Sequence, residues 1–222
     1  MDANHEKSKL TKMKFDTAIL ANGVFPTHDI PLSYIRNADR IICCDGSAQN
    51  LVNFGREPFA IVGDIDSLSA ELADKYADRV FRSDEQETND LTKTVNWCVS
   101  RGFNDIVITG ATGKREDHTL GNISLLAEYC QYANVIMATD TGIFKVYYNS
   151  AEIETFKGQQ VSIFSIDGNT DITSEGLKYK LDKIKLTNWW MGTLNETLSD
   201  KFFINFKQGR VLVFLKYGIV IN

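Results

Sequence analysis

Residues 59–76 read Phe-Ala-Ile-Val-Gly-Asp-Ile-Asp-Ser-Leu-Ser-Ala-Glu-Leu-Ala-Asp-Lys-Tyr. The apolar run Phe59–Val62 is too short for a helix and suits a strand buried on both faces of a sheet. A polar loop, Gly63-Asp64-Ile65-Asp66-Ser67, follows it, and Ser69–Tyr76 then takes up a helical pattern. Strand, polar loop and helix in that order make one unit of an open α/β sheet.

The same unit recurs on either side. Thr17–Leu20, Arg40–Cys44, Asp105–Thr109 and Asn134–Thr139 are further short runs rich in Ile and Val, with Val80-Phe81 as a shorter one. Helical patterns fall between them at Ala48–Phe54, Asp90–Ser100 and Thr119–Tyr129. In the last, Leu120, Ile123, Leu126 and Ala127 share one face. After about Asn149 the rhythm becomes β-like. Glu152–Phe156, Gln160–Ile166, Leu177–Leu181, Phe202–Phe206 and Arg210–Leu215 alternate with turn signals at Asp167-Gly168-Asn169 and Gln208-Gly209. The second turn reads as the tip of a hairpin. The expected fold is therefore α/β: an open, mostly parallel sheet domain over 1–149, followed by an all-β sandwich over 150–222. No repeat, low-complexity tract or Pro/Gly-rich linker separates the two.

The 222 residues suffice for a sizeable core, and the net charge of −5 gives no general attraction to nucleic acid or anionic membrane. No run of about 18 apolar residues is present to span a membrane. Met1–Lys14, polar and charged, reads as a frayed leader before the first strand. Cys43, Cys44, Cys98 and Cys130 lack metal-ligand spacing and read as small apolar side chains of a cytoplasmic protein.

In an α/β sheet, ligands bind where strands run out into loops at their carboxyl ends. Four such loops are unusually polar here: Asp45-Gly46-Ser47, Gly63–Ser67, Asp84–Lys93 and Gly110–His118. On an extended backbone, Asp64 and Asp66 would aim both carboxylates at one hard cation, and Asp90 adds a third. Mg²⁺ takes such oxygens together with water and phosphate. Gly110–Gly113 lets the backbone approach a polyphosphate, with Lys93 and Arg115 as neutralising cations. Each piece has a bland counterpart: Asp45 as a helix cap, Lys93 as a solvated charge, Gly110 and Gly113 as turn glycines, His118 as a packing residue. Their coincidence on one sheet edge favours phosphate chemistry. A P-loop is excluded, because Gly110 and Gly113 are too close together and Arg115 follows Lys114. A dinucleotide fingerprint fails at Glu116. An aspartyl-phosphate mechanism ranks lower, since Thr109 and Lys114 are poor substitutes for its accessory residues.

Taken together, these loops resemble the thiamin pyrophosphokinase family. Asp45-Gly46-Ser47-Ala48-Gln49-Asn50 is similar to its Asp-Gly-Gly-Ala-Asn segment, and Gly63–Ser67 to its Gly-Asp-Phe-Asp-Ser motif. Gln86 through Lys93 matches Gln…Thr-Asp-Phe/Leu-x-Lys, and Gly110–Leu120 matches Gly-Ala-Thr-Gly-Gly-Arg-x-Asp-His-Thr-Leu. Thr173–Tyr179 and Gly192–Glu196 resemble two shorter segments of its second half. Ser47, Asn89, Lys114 and Leu194 depart from the pattern.

The resemblance implies transfer of the pyrophosphoryl group of ATP to the thiamin hydroxyl, giving thiamin diphosphate and AMP. It further implies a homodimer with active sites shared between subunits. Asp64, Asp66 and Asp90 would hold Mg²⁺ with Asp45 nearby. Gln86, Asn89, Lys93, Thr112, Gly113, Arg115 and His118 would contact ATP, and Asp117 would orient Arg115 or the hydroxyl. Asn195 and Thr193 would meet thiamin, with Trp189 or Trp190 stacking on it; adjacent on a strand, the two tryptophans would face opposite sides. The alternatives are another Mg²⁺-dependent phosphotransferase or hydrolase on the same scaffold, or a non-catalytic nucleotide- or thiamin-binding protein.

Overall fold

A computed structural model describes residues 15–218, so the Met1–Lys14 leader lies outside the described residues. The chain divides into two compact units, with the boundary between Asp140 and Thr141.

The first unit is a parallel sheet flanked by helices. Its elements are β1 (Thr17–Leu20), α1 (Asp29–Asn37), β2 (Arg40–Cys44), α2 (Ser47–Asn53), β3 (Ala60–Gly63) and α3 (Ala70–Lys75). There follow β4 (Val80–Arg82), α4 (Asp90–Val99), β5 (Asp105–Thr109), α5 (Glu116–Tyr129) and β6 (Asn134–Ala138). Within this unit the strand order is β6-β5-β1-β2-β3-β4, and each pairing is parallel. The chain runs outward from β1 to β4, then returns to the other side of β1. Every residue of β1 and β3 is buried, which is why these strands read as continuous apolar runs rather than alternating ones. The thiols of Cys43, Cys44 and Cys98 are buried in this unit, as expected of small apolar side chains.

Two features depart from the sequence reading. Helix α1 was not anticipated, because its N-cap is His28, whose Nδ1 accepts from Ile30 N at 3.2 Å. Its Pro31 falls in the first turn, where no intrahelical N–H bond is lost. Helix α5 begins at Glu116 rather than Thr119, and Leu120 on its expected apolar face is 56% exposed. Only the later turns, carrying Leu126, Ala127 and Tyr129, are packed.

Asp140, at the end of this unit, ties down the segment that leads into α1. Its carboxylate accepts from Thr27 N at 3.0 Å, Thr27 Oγ1 at 2.7 Å and His28 N at 3.1 Å. Burial alone would raise its pKa, but these hydrogen bonds outweigh that effect and hold it below the ordinary carboxylate value. A depressed folded-state pKa stabilises above the unfolded value, and that stability disappears as pH falls through the folded one. Asp140→Asn is therefore expected to cost about 1–3 kcal/mol at pH 7. Urea midpoints should converge with those of the unaltered protein only once pH has fallen well below the ordinary carboxylate value, as acid removes the same carboxylate.

The second unit is a sandwich. Its strands are β7 (Gly142–Tyr147), β8 (Ala151–Glu154), β9 (Gln160–Ser165), β10 (Asp171–Glu175), β11 (Ile184–Lys185), β12 (Asn195–Glu196), β13 (Lys201–Asn205) and β14 (Val211–Lys216). One antiparallel sheet has the order β12-β9-β14-β7 and the other β11-β10-β13-β8. Val161, Ile163, Val211, Val213 and Leu215 of the first meet Ile153, Ile172, Phe202 and Ile204 of the second in a single core. In β13, Phe202 and Ile204 are buried while Lys201, Phe203 and Asn205 are exposed, the period-two alternation of a one-sided strand.

Here the expected pairings need correction. Gln208-Gly209 does not close a hairpin, because β13 pairs with β8 and β10 whereas β14 pairs with β7 and β9. The turn carries the chain from one sheet to the other. Asp167-Gly168-Asn169 does the same between β9 and β10, and the Arg210 guanidinium donates to Asp167 Oδ1 at 2.7 Å, clasping the two crossings together. Leu177–Leu181 is not a strand; Leu177 makes one bridge to Thr197, and Leu177 and Leu181 serve the core from a bent segment. Trp189 and Trp190 begin a 3₁₀ turn, Trp189–Gly192, rather than lying on a strand. Among the described residues, no helix is long and apolar enough to cross a membrane.

Candidate active site

The acidic centre is built at the carboxyl ends of β2 and β3 and at the start of α4. Asp45 follows β2 with φ of 42°, a left-handed conformation that a non-glycine residue adopts at a cost. Its N–H donates to Val62 O at 3.0 Å. The side chain is only 2% exposed. Oδ2 accepts from Ser67 N at 2.9 Å, while Oδ1 is buried and has no hydrogen-bond partner.

Asp64 and Asp90 complete the cluster: one carboxylate oxygen from each of Asp45, Asp64 and Asp90 lies within 4.8 Å of the others. Gly63 permits this approach, since a Cβ there would stand 3.1 Å from Asp45 Cβ and 3.2 Å from Asp90 Oδ1. Burial, with added repulsion from Asp90 and Asp64, raises the Asp45 carboxyl above its usual value. Lys93 is buried at 8% exposure with its ammonium 3.5 Å from Asp90 Oδ1, so it is no solvated surface charge. The donor set suits a hard divalent cation, and a buried carboxylate oxygen without a partner is what such an ion would satisfy.

Asp66 stands apart from this trio. The expected extended backbone is interrupted at Ile65, which has φ of 68°, and Asp66 is exposed with its N–H 3.3 Å from Asp64 Oδ1. A β-branched residue in the left-handed region is strained, a feature that concentrates at functional sites. Ser47, at a position where the resembled motif has glycine, is fully buried and donates to Leu20 O at 2.7 Å. Asn89 caps α4 by accepting from Thr92 N at 2.9 Å. Gln86 is exposed on the loop before it.

The glycine loop follows β5, beside β1, where the strand order turns back on itself. That is the switch point at which open α/β sheets bind ligands. Gly110 and Gly113 both have left-handed φ values, 65° and 92°. The loop is interlocked with the turn after β1, a feature the sequence reading missed: Gly23 N donates to Gly110 O at 2.7 Å and Val24 N to Thr112 O at 2.9 Å. Lys114 Nζ reaches Asn22 Oδ1 at 3.2 Å. The available signal was the turn-forming Asn22-Gly23 pair directly after an apolar strand. Arg115 and Asp117 form an exposed ion pair, and Asp117 Oδ1 also accepts from His118 N at 2.8 Å. Hydrogen bonding from Arg115, then from His118 N, holds Asp117 down at about 2. His118 itself is exposed.

Within the sandwich unit the remaining expected residues lie close in sequence but are used differently. Trp189 packs on Phe164 with ring centroids 5.7 Å apart, whereas Trp190 is 71% exposed. Thr193 Oγ1 donates to Trp190 O at 2.7 Å and holds the turn. Asn195 is buried; its Oδ1 accepts from Tyr179 N at 3.0 Å and its Nδ2 donates to Tyr179 O at 2.7 Å. Leu194 before it takes φ of 58° and is 76% exposed.

Comparison with known proteins gives a consistent result. Residues 32–139 match the family model for the thiamin pyrophosphokinase catalytic domain, and residues 142–214 that for the thiamin pyrophosphokinase substrate-binding domain. Thiamin pyrophosphokinase 1 of Caenorhabditis elegans is 27% identical over 78% of this chain and 76% of its own. Thiamine pyrophosphokinase 1 of Oryza sativa subsp. japonica is 27% identical over 66% of this chain and 67% of its own. Among solved structures, a thiamin pyrophosphokinase family protein from Enterococcus faecalis superposes with a TM-score of 0.77 at 20% identity, covering 91% of this chain and 99% of that one. Thiamine pyrophosphokinase from Bacillus subtilis gives 0.75 at 22%, covering 91% and 100%. At these identities the structural likeness speaks for the fold.

Proposed function

The chain belongs to the thiamin pyrophosphokinase family, and on that premise we propose how its residues divide the work of transferring the pyrophosphoryl group of ATP to thiamin. The products are thiamin diphosphate and AMP. The observations that carry the assignment of the catalytic centre are the convergence of the Asp45, Asp64 and Asp90 carboxylates and the buried Asp45 Oδ1 that has no partner of its own.

Asp45, Asp64 and Asp90 would hold Mg²⁺, with Asp66 on the exposed rim as the fourth carboxylate of the set. Bound there, the ion supplies neutralising charge to the nucleotide phosphates. Lys93 keeps Asp90 in place and lends positive charge. Gln86, Thr112, Gly113, Arg115 and His118 form the nucleotide side, the loop glycines by admitting phosphate against backbone N–H groups, while Asn89 stands behind them as the cap of α4. The thiamin hydroxyl oxygen attacks the β-phosphorus and AMP departs as the α–β bridge breaks. A carboxyl held near 2 is a weak proton acceptor, so Asp117 is assigned to orienting Arg115 rather than to taking the hydroxyl proton. Positioning and charge stabilisation then carry most of the rate.

Nucleotide and metal binding are assigned to the α/β unit, and thiamin binding and dimerisation to the sandwich. Trp190, exposed and hence able to offer an aromatic face to a cationic thiazolium, is the stacking residue. Trp189 supports it from Phe164, Thr193 holds the turn, and Asn195 acts by fixing the backbone of the exposed Tyr179. The working enzyme is a cytoplasmic homodimer with active sites shared between subunits. Incubation with ATP, Mg²⁺ and thiamin should yield AMP and thiamin diphosphate in equal amounts. Formation of ADP, or nucleotide turnover that ignores thiamin, would overturn the reading in favour of another phosphotransferase or hydrolase.

A further inference from the structure

We propose that Asn122, on the second turn of α5, is a positioning residue that fixes the nucleotide loop relative to the metal-bearing start of α4. Asn122 Nδ2 donates to Ala111 O, inside the glycine loop, at 2.9 Å. Its Oδ1 faces Asn89 Nδ2 at 3.5 Å, and Asn89 Oδ1 in turn accepts from Thr92 N at 2.9 Å. Every link has only one workable sense. Thr92 offers a backbone donor and Ala111 a backbone acceptor, so the two amides between them must both point the same way. Turning either one over would bring donor against donor or acceptor against acceptor.

The relay therefore joins the residue preceding Asp90 to the residue preceding Thr112. Two further rungs brace α4 from the far end of α5: Thr92 Oγ1 lies 2.7 Å from Tyr129 OH, and Tyr132 OH, in the turn after α5, donates to Asn96 Oδ1 at 3.3 Å. Those rungs hold α4 to α5 and to the turn that follows it. Asn122 alone among these contacts reaches the loop.

Resting on the reading above, the inference concerns the registry between phosphate loop and carboxylates. A small misplacement of reacting groups costs rate without unfolding anything. Asn122→Ala is expected to lower kcat/KM for Mg·ATP by about 10–100-fold and to leave KM for thiamin within about twofold. Asn89→Thr retains an oxygen for the helix cap but is too short to continue the relay. It should show the same loss with an unchanged melting temperature. The double variant should lose no more than either single one, because both break one chain.

Losses that multiply in the double variant, ATP kinetics of Asn122→Ala equal to the unaltered protein, or a kcat decrease that only follows lost folded protein would each overturn the relay. Equilibrium binding of Mg·ATP without thiamin is measured on the same four proteins. If the unaltered protein makes no thiamin diphosphate, the proposed function fails while the binding comparison still decides the relay.

Discussion

Asp45→Asn is expected to reduce kcat by on the order of a thousandfold while making the metal-free protein more heat-stable. The two effects have one cause. Asn keeps the volume of Asp and can still accept from Ser67 N through its carbonyl oxygen, replacing the 2.9 Å bond made by Asp45 Oδ2. Its amide then turns toward Asp64 and Asp90, converting a repulsive carboxylate cluster into a hydrogen-bonded one. A centre that satisfies itself no longer needs a cation. Sites that bind charge are commonly built at the expense of stability, and removing the charge recovers it. Thermal melts with and without Mg²⁺, alongside turnover, check both halves. The unaltered protein should gain stability on adding Mg²⁺, and Asp45→Asn should gain little. Asp66→Asn should also slow turnover, but without the gain in metal-free stability, because Asp66 is exposed and outside the trio. Equal melting behaviour of Asp45→Asn and Asp66→Asn would refute this account of the centre.

Gly23→Ala is expected to destabilise the α/β unit by about 3 kcal/mol and to weaken Mg·ATP binding at least roughly tenfold. A methyl group at Gly23 would stand 2.4 Å from Gly110 O, 2.5 Å from Thr112 O and 2.9 Å from Thr112 N. All three are backbone atoms, so no side chain can swing aside. The turn after β1 must part from the glycine loop, and the hydrogen bonds from Gly23 N and Val24 N go with it. Gly121→Ala is the matched comparison, since nothing lies within 4 Å of a Cβ there and the position is helical. That substitution should stabilise by about 0.5–1 kcal/mol. Urea unfolding of the two variants should therefore move in opposite directions.

The α/β half was legible because its signals are local. A parallel strand buried on both faces is a short apolar run, and Thr17–Leu20, Arg40–Cys44 and Asp105–Thr109 coincide with observed strands. Helix α1 was not legible, since a histidine cap is an unusual sign of a helix start. In the sandwich the strand near Gln160 could be read, but its partners could not. Alternation reveals which side chains face inward, not which neighbour supplies the next strand, and Gln208-Gly209 looks the same whether it closes a hairpin or crosses between sheets. The β-like run Gly142–Tyr147 went unread for the opposite reason: Gly142 and Ile143 are buried and the four residues after them half-buried, so no alternation marks the strand.

The site divides in the same way. Asp64 and Asp90 sit in motifs whose residue types announce acidic chemistry. The burial of Asp45, the exposure of Asp66 and the docking of Gly23 depend on contacts between loops far apart in the chain. Ile65 is the clearest case: nothing in its side chain tells that its φ is positive, yet that one angle separates the two aspartates.

The position of β14 bears on the order in which the chain can assemble. β1 to β4 pair in chain order, so much of the parallel sheet can form from contacts between consecutive segments. In the sandwich, β14 lies between β9 and β7, although it is the last strand of the described chain. Until it arrives, β7 and β9 have no common partner and the backbone N–H and C=O groups on their facing edges stay unpaired. Non-local closure of this kind is slow. During synthesis the nucleotide half can be complete while the other half still waits, its exposed strands in need of protection from chance pairing with other chains.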